Sequence, residues 1–114
     1  MGMNLAVTTE LDRLQELMHE WRQYNFPNAD ADQQLLGVFE ECGELSHARL
    51  KTIQGIRKNE NLVDLEIDAI GDIMVYLAGY CSYRGLSLGF CLERAWSEVK
   101  NRDWIKYPNN GVDS

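Results

Sequence analysis

Two stretches, Phe39-Glu40-Glu41-Cys42-Gly43-Glu44-Leu45 and Ile67-Asp68-Ala69-Ile70-Gly71-Asp72-Ile73, decide how this chain is read. Both set carboxylates among apolar residues at helical spacing, with no period-two alternation. At about 100° per residue, Glu40, Glu41 and Glu44 share one flank of a helix, and Asp68 and Asp72 stack one turn apart. Five carboxylates thus fall on two helical faces, which could converge on a divalent cation if the helices are neighbours.

Working outward, the first cluster belongs to a helix that Asp30 caps and that runs through Leu35, Leu36, Phe39, Cys42, Leu45 and Leu50 to about Ile53. Before it, Leu11, Leu14, Leu17, Met18 and Trp21 predict a helix over about Thr9–Tyr24. Thr9 would be its cap, and Asn25-Phe26-Pro27-Asn28 its end. Gln54 to Asn61 reads as a loop. The second cluster lies in a helix from about Leu62 to Arg84 that Gly85 stops, and Ser87 caps a fourth helix to Trp104 or Ile105. The tail from about residue 107 is expected to be loose. The fold class is therefore all-α, a single domain over residues 1–114 built as a four-to-five-helix bundle.

An apolar fraction of 45% with 25% charged residues is that of a soluble globular chain, and no apolar run is long enough to span a membrane. The first seven residues lack the basic segment and apolar core of a secretory signal, so a cytoplasmic location is the expectation. Cys42, Cys81 and Cys91 have no CxxC spacing and sit in apolar helical pattern, which reads as buried reduced thiols. The net charge of −7 argues against a nucleic-acid polymer as partner. It leaves room for a small phosphorylated ligand whose charge metal ions offset.

Two features set these carboxylates apart from a solvated helix face. Glu40 with Glu44, Asp64 with Asp68, and Asp68 with Asp72 are like charges four residues apart, each pair costing roughly 0.2–0.5 kcal/mol. No lysine or arginine stands three or four residues after Glu40, Glu41 or Glu44 to relieve them. From Ile70 to Cys81 the third helix is also apolar nearly all round, which places Asp72 in a segment suited to a bundle interior or an oligomer interface. Gly43 and Gly71 each cost about 1 kcal/mol relative to alanine, which suggests close helix approach. Carboxylates without imidazole or thiolate partners select a hard cation, Mg²⁺ with Mn²⁺ as substitute. Zinc is disfavoured because His19 and His47 lack spaced partners. A calcium loop at Asp64-Glu66-Asp68 is excluded because Ala69 and Val75 stand where glycine and glutamate are needed.

The pattern Glu40-Glu41-x-x-Glu44-Leu45 followed by Gly71-Asp72-Ile73-x-x-Tyr76-Leu77 resembles the MazG-like all-α nucleoside triphosphate pyrophosphohydrolases, over about Leu35 to Trp104. That family is described by an ExxE motif on one helix and an ExxD motif on the next. Glu41 and Glu44 match the first, and Asp72 matches the last position of the second. Ala69 stands where the second motif has glutamate, with Asp68 one position earlier as a substitute ligand. The resemblance implies a homodimer or homotetramer with an oligomeric four-helix core. It also implies Mg²⁺-dependent hydrolysis of nucleoside or deoxynucleoside triphosphates to monophosphate and pyrophosphate, a nucleotide-pool housekeeping activity.

The expected metal ligands are Glu41, Glu44, Asp72 and Asp68. Glu41 and Glu40 are the expected catalytic residues, Glu40 orienting or deprotonating the attacking water. Lys51, Arg57, Lys100, Asn101 and Arg102 are candidate phosphate contacts, and Trp21 is a candidate stacking partner for the base. The alternative is a non-catalytic helical module that binds nucleotide or metal, or a protein partner, on the same scaffold.

Overall fold

The structure, a computed structural model, describes residues 5–113, with side chains from residue 8 onward. Four helices follow in chain order: α1 (Leu5–Asn25), α2 (Ala31–Gln54), α3 (Leu62–Tyr83) and α4 (Leu88–Val99), with no strand among the described residues. The expectation about a signal sequence falls largely on residues outside the described range.

The caps read from sequence act as such on α2 and α4. Asp30 accepts the Gln33 amide at 2.8 Å, and Ser87 accepts the Phe90 amide at 3.0 Å. Such a cap is worth about 1 kcal/mol. Asn61 does the same for α3. Thr9 caps nothing, because α1 is already helical from Leu5. At the other end, α4 stops at Val99, about one turn short of the expected Trp104. Asp103 accounts for this: its Oδ1 accepts the amides of Ile105 and Lys106, a local turn that competes with helical bonding. The stretch expected to be loose is folded back, with the Asp103 amide bonded to the Gly111 carbonyl and the Gly111 amide to the Tyr107 carbonyl, and Gly111 is buried.

α2 and α3 form an antiparallel hairpin whose register is fixed by two missing side chains. A Cβ at Gly37 would overlap the Tyr76 ring, and one at Gly79 would run into Gln34 and Arg22. Pairing 37 with 76 and 34 with 79 sets Glu41 opposite Asp72 and Glu44 opposite Ala69. Ala48, Ala69 and Ala78 are essentially inaccessible in this region. Gly43 and Gly71, expected to serve close approach, meet nothing within 4 Å of a built Cβ, so within one chain that reading is corrected. α1 lies along α3, where the Gln15 amide donates to Ser82 Oγ and the Leu86 carbonyl and its Oε1 accepts the Leu88 amide. The Ser87 hydroxyl donates to Asp12 Oδ1, tying the start of α4 to α1.

The hairpin is covered on one side only. Leu36, Phe39, Leu50 and Ile53 on α2, and Val63, Ile67, Ile70 and Met74 on α3, are 41–73% exposed. With Gly43 and Ser46 the α2 positions recur at three- and four-residue steps, as do those of α3, giving two parallel heptad seams on one face. No large side chain is fully buried anywhere in the described chain. The radius of gyration is 17.6 Å, against about 13 Å for a compact domain of this length. The thiol expectation is corrected for two residues: Cys81 is buried, but Cys42 and Cys91 are exposed. No helix among the described residues is long and apolar enough to cross a membrane.

Candidate functional site

The hairpin register and the course of α1 together enclose a cavity of about 470 Å³, lined by Trp21, Arg22 and Phe26 from the end of α1 and the turn after it. Gln33, Gln34 and Glu41 line it from α2, and Asp72, Val75 and Tyr76 from α3. That volume is in the range of small-molecule sites. Each wall follows from local sequence. Asn25 and Pro27 end α1 so that Phe26 turns back on Trp21, the two rings meeting edge-on at 67° with centroids 5.9 Å apart. Gly37 lets α2 approach close enough for the Tyr76 ring to lie against it.

Glu41 is half-buried and meets Asp72 across the seam. Burial first, then the carboxylates of Asp72, Glu44 and Glu40, push its carboxyl above the usual carboxylate range. No lysine or arginine pairs with either acid among the described residues. Asp72 itself is exposed in the single chain, a correction to the interior position expected from the apolar surroundings of α3. Two uncompensated carboxylates that repel each other form a donor set that a hard cation would relieve. No group of three or more His, Cys, Asp or Glu among the described residues is close enough to hold an ion unaided. Mg²⁺ sites commonly use one or two carboxylates and complete the octahedron with waters and substrate phosphates, so the opposed pair fits this ion.

The other candidates are distributed as follows. Glu40 and Glu44 are exposed beside Glu41 and near enough to act on it electrostatically. Asp68 is exposed one turn from Asp72 and is not among the groups that perturb Glu41. Ala69, at the position where the motif has glutamate, is 1% exposed, sealed within the helix pair. Trp21 lines the cavity; Lys51, Arg57, Lys100, Asn101 and Arg102 do not. Lys51 Nζ donates to Gln54 Oε1 at 3.1 Å, and Arg57 sits in the loop at positive φ. Asn101 Nδ2 donates to the Ser97 carbonyl, Lys100 Nζ is buried without a partner, and Arg102 lies under Gly111 in the folded-back tail. His47 pairs with Glu60 at 3.2 Å, away from the cavity.

Among the lining residues that the sequence did not mark as part of the site are Arg22, Gln34 and Tyr76, the last quoted only within the motif. The only available signal was Gly37 and Gly79, which interrupt good helices at about 1 kcal/mol each and so imply something bulky opposite. Arg22 is 4% exposed, and its Nη2 donates to the Val75 carbonyl at 3.1 Å. Burial lowers its pKa from the ordinary value, opposed in part by Tyr83 and Tyr76. No protein family, curated protein or solved structure matches the chain.

Proposed function

We propose that this chain is a Mg²⁺-dependent nucleoside triphosphate pyrophosphohydrolase of the MazG-like kind, acting as a homo-oligomer. The observation that carries the reading is that Glu41 and Asp72, which repel each other, line one cavity together with Trp21 and Phe26. Carboxylates suit a metal-bound phosphate chain, and exposed aromatic rings suit a base.

Glu41 and Asp72 would hold the ion, with Glu44 and Asp68 on the flanks. Mg²⁺ supplies neutralisation of the phosphate oxygens and alignment of the chain for in-line displacement. Water adds to the α-phosphorus, the bond from that phosphorus to the α–β bridging oxygen breaks, and pyrophosphate leaves with the bridging oxygen. Glu40, exposed beside Glu41, accepts the proton that the water gives up. Trp21 and Phe26 hold the base and keep bulk water from that face.

The oligomer is supported by the uncovered seams of α2 and α3. Two hairpins packed on those faces would form a four-helix core with the carboxylates beside it.

The test is pyrophosphate release across a panel of ribo- and deoxynucleoside triphosphates with Mg²⁺. Glu41→Gln and Asp72→Asn should each lower turnover by about 10²-fold or more. Unchanged turnover in either variant refutes the assignment. A second reading, a module that binds nucleotide and metal without turnover, is favoured by one observation, the sealed Ala69 in place of a third acid. Calorimetric binding of Mg²⁺ with a non-hydrolysable triphosphate, with no pyrophosphate release from any natural one, would select it.

A further inference from the structure

Cys81 and Cys91 are brought together across the joint between α3 and α4. Cys81 lies in the last turn of α3, and its carbonyl accepts the amides of Arg84 and Leu86 at 3.1 and 2.8 Å, which turns the chain back at once. Gly85 takes the turn at φ 68°, a conformation that side chains rarely adopt. Ser87 then opens α4, and its carbonyl accepts the Cys91 amide at 3.0 Å, so Cys91 stands in the first turn of that helix. There the two thiols meet in a hydrogen bond. Cys42 lies on α2, which among the described residues does not touch α4.

The two sulfurs are unequal. Cys81 is 4% exposed, whereas Cys91 faces solvent. Burial first, and then the Cys91 sulfur, push the Cys81 thiol above its ordinary value. An exposed thiol backed by a buried one is the arrangement of an attacking and a resolving cysteine. Neither residue lines the cavity at Glu41 and Asp72. Beyond the joint α4 leans on α1, where Gly89 lies against Thr8 and Leu11, and it meets α3 at few positions. A covalent tie between α3 and α4 would therefore add a constraint that packing supplies only weakly.

We propose that Cys81 and Cys91 form a redox-sensitive clamp, closing to an intrachain disulfide when a small-molecule disulfide, of which glutathione disulfide is the type, oxidises them. The Cys91 thiolate attacks one sulfur of glutathione disulfide, whose S–S bond breaks, and one glutathione thiolate leaves. Cys81 then gives its proton to solvent and attacks Cys91 Sγ, breaking the mixed disulfide and releasing the second glutathione thiolate. Two electrons pass from the protein sulfurs to the glutathione sulfurs, and the two protein thiol protons are released to solvent, from which the glutathione thiolates are protonated. The protein sulfurs go from hydrogen-bond contact to a bond of about 2 Å, which fixes the direction in which α4 leaves α3.

The test treats the folded full-length chain with millimolar glutathione disulfide, blocks free thiols, and maps the unreduced peptides by mass spectrometry. The peptides carrying Cys81 and Cys91 should be joined, with the pair lighter by two hydrogens, and excess reduced glutathione should separate them. Cys81→Ser should leave a glutathione adduct on Cys91, and Cys91→Ser should leave Cys81 unmodified. The linked chain should melt several degrees above the reduced one. A glutathione adduct that persists on Cys91 beside a free Cys81 thiol, a link between the Cys91 residues of two copies, or no reaction at either position overturns the proposal. So does a linked chain whose Tm falls, because the bond then distorts the joint instead of clamping it. These results are read on the native chain and stand even if neither serine variant folds. Neither nucleotide nor Mg²⁺ takes part, so the hydrolytic reading stands or falls separately.

Discussion

Substituting Phe39 by aspartate should dissociate the protein and, with it, unfold much of the hairpin. A monomeric globular protein of 13.1 kDa exposes about 6,400 Å² by the usual mass scaling. This chain exposes 8403 Å², an excess of roughly 2,000 Å² per protomer. Covered by a second copy, that excess corresponds to about 4,000 Å² of total interface, in the range of obligate dimers. Phe39 is 66% exposed in the middle of the α2 seam, next to Met74 of α3 in the hairpin register. Its loss removes about 2–3 kcal/mol of apolar burial, and the aspartate adds a desolvation penalty of several kcal/mol.

In a two-fold interface each substitution counts twice, for a total of roughly 10 kcal/mol, or about seven decades in dissociation constant. Light scattering coupled to size exclusion reads the mass, and far-UV circular dichroism across a protomer dilution series reads helix content and Tm. The native chain should be a dimer or larger, with a Tm that rises with concentration. Phe39→Asp should run as monomer or aggregate with diminished helix. Ile105→Asp, at a position 96% exposed in the C-terminal turn, is the control and should change neither. A native chain that runs as a 13.1 kDa species with a concentration-independent Tm, or a Phe39→Asp variant indistinguishable from it, refutes the reasoning.

Two further outcomes follow from the seam. Because Glu41 has a raised pKa in the fold, the unfolded chain gives up that proton first as pH rises. The metal-free protein should therefore lose stability from the ordinary carboxylate range upward through the raised value. Asp72→Asn should reduce that slope in part, burial being the larger cause, raise Tm in EDTA at neutral pH and low salt, and abolish most of the Tm gain on adding Mg²⁺. An unchanged slope would mean that no repulsion acts across the seam. Ala69→Glu, which restores the missing acid of the motif, should cost about 3 kcal/mol or more in chemical denaturation, because Ala69 is 1% exposed and the new side chain brings both volume and charge. Native-like stability with increased turnover would show instead that the seam opens to receive it.

What the sequence could and could not disclose has a physical division. Periodicity and capping chemistry act within one turn, so four helices, the Asp30 and Ser87 caps and the stop at Gly85 were legible from residues within a few positions of one another. The end of α4 was not, because Asp103 redirects the chain through side-chain bonds that no apolar pattern encodes. The acids were visible as a problem of like charges without local relief, but their partnership depends on register, and register is set by Gly37 and Gly79. Those glycines gave no sign of which residues they admit. Arg22 shows the same limit most sharply: between Trp21 and Gln23 it reads as a polar surface position, and only the packing of α1 along α3 buries it at the level of Val75. The electrostatic logic of the cavity thus combines a repulsion that the sequence displays with a buried cation that it conceals.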